Sequence, residues 1–149
     1  MVRFVAGQQA RADRRITDVG TEVDGIRAEP DGLAPPWAST LRVRRDAAGR
    51  LTGAVVVEWD EERRRSWVVG PRVAAGDGTA WARAADALLD AALGQLPPGV
   101  ARHELAGDVA HRRLAALAAA RGWSASEPNH VLVADATVVA AWHRRLRGR

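Results

Sequence analysis

The chain has no cysteine, no tyrosine, no lysine and a single phenylalanine in 149 residues. Without cysteine there is no disulfide, no thiolate metal ligand and no cysteine nucleophile. Without tyrosine no phenol is available as a proton donor. No apolar run approaches the 18 or so residues that a membrane-spanning helix needs. The opening MVRFVAGQQARADRR lacks an apolar stretch between its basic residues and a cleavage site, so no secretory signal is read and the cytoplasm is the expected location. HExxH, Walker A and GxSxG patterns are absent, and four scattered histidines do not make a metal site.

What is present describes one globular domain. Hydrophobic residues make up 47% of the chain and charged residues 27%, and a domain of this length can bury roughly 70% of its unfolded surface. All 22 basic residues are arginine and the net charge is +4. Acidic residues are interleaved with most of the arginines, which favours a solvated surface over a polyanion-binding stripe. Only the tail from His143 to Arg149 is basic without relief. The six tryptophans fall mostly on inward faces or helix ends, which reads as core packing more readily than as base stacking. A nucleic-acid-binding module is therefore only a distant alternative.

The first forty residues are the least legible. Val2–Ala6 fits a short strand, Ile16, Val19, Val23 and Ile26 recur at helical spacing, and the segment from Glu29 to Pro36 reads as a loop. From Leu41 the pattern sharpens. Leu41 and Val43 alternate with arginines as a half-exposed strand, and Asp46–Gly49 reads as a turn. Leu51–Trp59 is apolar on both faces, so helices are expected on both sides of the sheet. After a charged tip at Asp60–Arg64, Ser66–Val69 returns as a strand that Gly70-Pro71 is expected to stop.

Trp81, Ala85, Leu88, Ala92 and Leu96 form the apolar stripe of a helix ended by Pro97-Pro98-Gly99. A short strand at Arg102–Leu105 follows. Asp108 is the expected cap of a second helix with Ala110, Leu114, Leu117 and Ala118 inward, and Gly122 is its expected left-handed C-terminal residue. His130–Ala134 reads as a strand and Thr137–Arg147 as a final basic helix or tail. The fold class is thus α/β or α+β, with a mixed, mostly antiparallel central sheet and helices on both faces.

This order, with VVGP ending a strand, a long helix, HELAGDVAHRRLAALAAARGW and a strand HVLV, resembles the GNAT superfamily of N-acetyltransferases over roughly Leu41 to Asp135. Many members carry Asn-x-x-Ala-x-x-Leu-Tyr-x-x-x-Gly-Phe on the second helix. His111, Leu114, Leu117, Ala118, Gly122 and Trp123 stand at those positions, so alanine replaces the tyrosine that often serves as the acid.

The resemblance implies acetyl-CoA as cosubstrate and a small-molecule or peptide amine as acceptor. It places the pantetheine arm on a splayed strand at Trp67–Val69. It places the pyrophosphate on the loop Arg72–Thr79 and the helix N-terminus, through Val69, Gly70, Arg72, Gly76, Gly78 and Thr79. The family loop is Gln/Arg-x-x-Gly-x-Gly/Ala, whereas here three residues separate Arg72 from Gly76, and Asp77 adds a carboxylate. Asp77 or Thr79 could equally be a helix cap.

Candidate bases are Glu58, His103, Glu104 and His111. A pairing of Glu58 with Arg42 or Arg44 would make it structural, and His111 is expected in an exposed first helical turn. A non-catalytic member of the superfamily, paired with a second such domain or a second copy, is the alternative. No metal is implied.

Overall fold

The computed structural model describes residues 2–16, 35–74 and 76–126. The strand at 130–134, the helix at 137–147 and most of the expected helix and loop between 16 and 36 lie outside them.

The first element, α1 (Val2–Gln9), is a helix and not the expected strand. Its inward residues Val5, Gln8 and Gln9 recur at helical spacing, but two are glutamines, which hides the stripe from a hydropathy reading. Gln9 is fully buried and satisfied at both ends of its amide. Nε2 donates to Ile16 O at 2.6 Å and Oε1 accepts from Ile16 N at 2.7 Å. A 3₁₀ turn at Ala12–Arg14 closes this loop.

One turn of helix, α2 (Trp37–Thr40), leads into β1 (Arg42–Arg45), then β2 (Leu51–Asp60) and β3 (Arg65–Val73). The β1–β2 turn forms as its sequence dictates. Asp46 Oδ1 accepts from Ala48 N and Arg50 N, and Gly49 takes a φ of +76°. Helix α3 (Gly78–Leu93), strand β4 (Arg102–Leu105) and helix α4 (Arg112–Ala120) follow. Helix α3 stops at Leu93 with Gly94 as its cap, before the Pro97-Pro98-Gly99 segment expected to end it.

The four strands form one mixed sheet in the order β1-β2-β3-β4. The first two pairs are antiparallel, and β3 pairs parallel to β4. Gly70-Pro71 does not stop β3. Val69 opposes Val56 and Arg72 opposes Ala54, so Gly70 and Pro71 together stand opposite Val55. The proline sits in a bulge, where its missing N–H costs no ladder bond.

Helices cover both faces, as the doubly apolar β2 requires. Val55, Val57, Val68 and Val73 pack with Trp81, Ala85, Leu88, Leu89, Leu114 and Leu117 of α3 and α4. On the opposite face Val56 packs with Val5 of α1 and Trp37 of α2. Helix α4 ends in a Schellman motif, with Trp123 N donating to Ala118 O, Gly122 N to Ala119 O, and Gly122 at φ +73°.

Candidate functional site

Strands β3 and β4 run together only from Arg65↔Arg102 to Val68↔Leu105. Beyond that point β3 continues through Val69–Val73, and among the described residues no strand accompanies it on that edge. Beyond the end of β4 at Leu105 the chain is held to the N-terminal segment. Arg15 O accepts from Asp108 N at 3.1 Å, Arg15 Nη1 lies 3.7 Å from Asp108 Oδ2, and Ile16 is buried in the helix-side core. Sequence patterning gave no sign of this contact, because it joins residues far apart in the chain through backbone groups.

From the free end of β3 the chain enters α3 through Ala74–Asp77. Asp77 is the N-cap, accepting from Ala80 N at 2.7 Å, while its carbonyl accepts from Trp81 N. Among the described residues nothing accepts from the N–H groups of Gly78 and Thr79. Gly76, Asp77, Gly78 and Thr79 are all exposed. Arg113 of α4 reaches this loop, its Nη2 donating to Gly76 O at 3.2 Å.

Between α3 and α4 runs a groove of about 610 Å³ lined by Gly78, Trp81, Arg83, Asp86, Arg113 and Arg121 among others. Arg121 closes one end by bridging Asp86 and Asp90, each at 2.7 Å. The groove therefore joins Gly78, whose N–H has no acceptor among the described residues, to the exposed arginines Arg83 and Arg113, with Asp86 also in its lining.

Arg72 does not join this loop. It belongs to β3, opposes Ala54 on the α1 and α2 side of the sheet, and is 3% exposed with Nη1 toward Val69 O at 3.4 Å. Arg113, from another helix, provides the guanidinium at the loop instead. Only its spacing on α4 was visible in the sequence.

The candidate bases are dispersed. His103 Nδ1 lies 2.9 Å from Ser66 Oγ, and its ring stacks on Trp123 at 6.2 Å. Glu104 pairs with Arg65 and Arg102. Glu58 does not meet Arg42 or Arg44, which oppose Val55 and Gly53 on the other face. Its Oε1 accepts instead from Trp37 Nε1 at 3.0 Å.

His111 is neither exposed nor in the first turn of α4. It is the N-cap, 3% exposed, its Nδ1 accepting from Leu114 N at 3.3 Å and its ring edge-on to Trp81 at 5.6 Å. Asp108, the expected cap, serves the preceding turn by accepting from Ala110 N.

Burial pushes the His111 imidazole below its ordinary value of 6.5, Asp13 opposing the shift and Arg113 and Arg14 adding to it. The neutral ring is the one that caps. Its contribution to stability is thus complete above pH 6.5 and is lost as pH falls below that value. In urea titrations from pH 7.5 to 5, the wild-type protein is expected to lose stability, while His111→Asn, which caps without titrating, shows a shallower decline.

Among the described residues no group of three or more histidine, aspartate or glutamate side chains is placed to hold a metal, and no helix is long and apolar enough to cross a membrane. No family model matches the sequence, and no curated protein or solved structure is detectably similar to it.

Proposed function

We infer that the chain is a GNAT-like domain that binds acetyl-CoA where β3 runs on past the end of β4 and passes its acetyl group to an amine. The observation that carries this reading is the parallel β3–β4 pair, in which β4 ends at Leu105 while β3 runs on to Val73 and leads into an exposed helix N-terminus. The edge of β3 at Val69–Gly70, which pairs with no strand among the described residues although Gly70 is buried, would offer backbone groups to an extended pantetheine arm. Gly78 and Thr79 N–H, with Arg113 beside them, suit the pyrophosphate. Asp77 opposes it, because its charge faces the same ligand.

Catalysis on this scaffold would rest on positioning. The neutral amine attacks the thioester carbonyl, the C–N bond forms, the C–S bond breaks, and CoA leaves as the thiolate while the amine's proton passes to solvent. No step is routed through Glu58, which sits one cross-strand pair back from the end of the β3–β4 ladder, on the face away from the groove.

A specific observation favours the second reading, a non-catalytic domain of the same type. Ala118 stands where the family acid would be, and His103 and His111 are both engaged in structural contacts. Titration with CoA and acetyl-CoA separates coenzyme binding from no binding. At a hundredfold excess over Kd the expected rise in Tm is roughly 5–10 °C, and no rise at millimolar ligand removes the enzyme reading. A rise without acetylation of any amine in a broad panel selects the non-catalytic one. Asp77→Asn keeps the cap and removes the charge, so CoA affinity is expected to increase by about fivefold.

A further inference from the structure

Away from the groove, the α1 and α2 side of the sheet carries a row of charged and aromatic residues. Trp67 of β3 is flanked in register by Glu58 of β2 and Glu104 of β4, which puts a carboxylate on each side of one half-buried indole. On the Glu104 side the arrangement is complete. The Arg65 guanidinium lies over the Trp67 ring, 5.0 Å from its centroid, and donates to Glu104 Oε2. Arg65 Nε makes no hydrogen bond among the described residues, as suits a guanidinium plane resting on an indole.

On the Glu58 side no cation stands among the described residues. Asp60 has Arg63, Glu104 has Arg65 and Arg102, yet Glu58 pairs with no arginine among the described residues. It is half-buried, and its one partner there, the Trp37 indole N–H, fixes Oε1 and leaves Oε2 to accept elsewhere. A partly desolvated carboxylate held rigidly beside an aromatic ring is a poor solution for stability alone, and a good seat for a planar cation.

We propose that Glu58, Trp37 and Trp67 form a binding site for a guanidinium group, which repeats on the Glu58 side the contact that Arg65 makes on the Glu104 side. The site is built from side chains of α2, β2 and β3 and uses no strand-edge backbone group, so it does not rest on the coenzyme reading, although Trp67 lies only two residues from Val69. A guanidinium suits it better than an ammonium, because it can stack on Trp67 while donating to Oε2. The cation can be a free alkylguanidine or the side chain of an arginine-containing peptide.

The test uses the whole chain and follows the Trp37 indole N–H resonance, assigned with Trp37→Phe, during titration with n-butylguanidinium, n-butylammonium and acetyl-Gly-Arg-Gly-amide. Saturable movement of that resonance is expected with both guanidinium ligands, the better of the two showing whether peptide backbone contributes. Binding of n-butylammonium is expected to be weaker. In Glu58→Gln, which preserves the acceptor for Trp37, guanidinium affinity is expected to fall by about tenfold or more. In Arg65→Met, which vacates the resident seat, a second equivalent of n-butylguanidinium is expected to bind. An unmoved Trp37 resonance at about 10 mM guanidinium, or equal affinity in wild type and Glu58→Gln, overturns the proposal. Should Glu58→Gln fail to fold, the Arg65→Met stoichiometry decides, and a single equivalent or none rejects the site.

Discussion

Trp81→Ala is expected to remove about 3–5 kcal/mol of stability, the largest loss from any single truncation at the α3–α4 contact. Trp81 sits in the first turn of α3, is 4% exposed, and belongs to the core shared by β2, β3, α3 and α4. Its ring also meets the imidazole of His111, so truncation opens a cavity and leaves the α4 N-cap without its lateral support. A domain of ordinary stability holds only about 5–15 kcal/mol, so the variant should lie near the edge of folding. Urea unfolding at 25 °C measures this, with a lower midpoint and an unchanged slope as the expected result. A loss below about 1 kcal/mol would show that Trp81 is not a core residue.

Gly70→Ala is expected to cost about 2–4 kcal/mol through backbone geometry alone. Gly70 takes a φ of +131°, which side chains rarely tolerate, and a Cβ there would lie 3.1 Å from Ala54 O and 3.2 Å from Val55 Cα. These neighbours are strand backbone and cannot rotate away. The bulge in β3 beyond the end of β4 would have to deform, so coenzyme affinity should fall along with stability. Gly76→Ala is the control: its φ is ordinary and nothing lies within 4 Å of the new methyl, so stability should stay within about 0.5 kcal/mol. Equal stabilities for the two variants would contradict the bulge geometry.

The contrast between these glycines shows which parts of the fold could be read in advance. Local signals were legible. Asp46–Gly49 carries its turn in four residues, β2 is apolar on both faces and is covered on both, and Gly122-Trp123 closes α4 in the motif its residues suggest. Signals that depend on partners were misread. Val2–Ala6 looks like a strand because the inward side of α1 is completed by glutamines, and Gln9 is tolerable in the core only because Ile16 returns to satisfy its amide. Pro71 looks like a stop because its place in a bulge depends on the register of β2.

The candidate site divides in the same way. Gly76, Gly78 and the Asp77 cap are a local pattern and lie where the sequence puts them, at the start of α3. Arg72 was misplaced because the loop begins later than its composition suggests. The partner of Glu58 could not be foreseen: Trp37 precedes it by 21 residues, and only the packing of α2 on the sheet brings the indole N–H to the carboxylate. His111 shows the converse error, a polar residue expected at the surface that is buried because its neutral ring serves as a cap.

The reading of the β3 edge beyond β4 as a coenzyme site is tested most directly by following backbone amide resonances during titration of the whole chain with CoA. Saturable shifts are predicted for Gly78 and Thr79 at the start of α3 and for Val69 and Gly70 of β3 beyond the end of β4, with little change at Arg65–Val68 where β4 is paired. Resonances of Gly78, Thr79 and Val69 that stay fixed at millimolar CoA would contradict it.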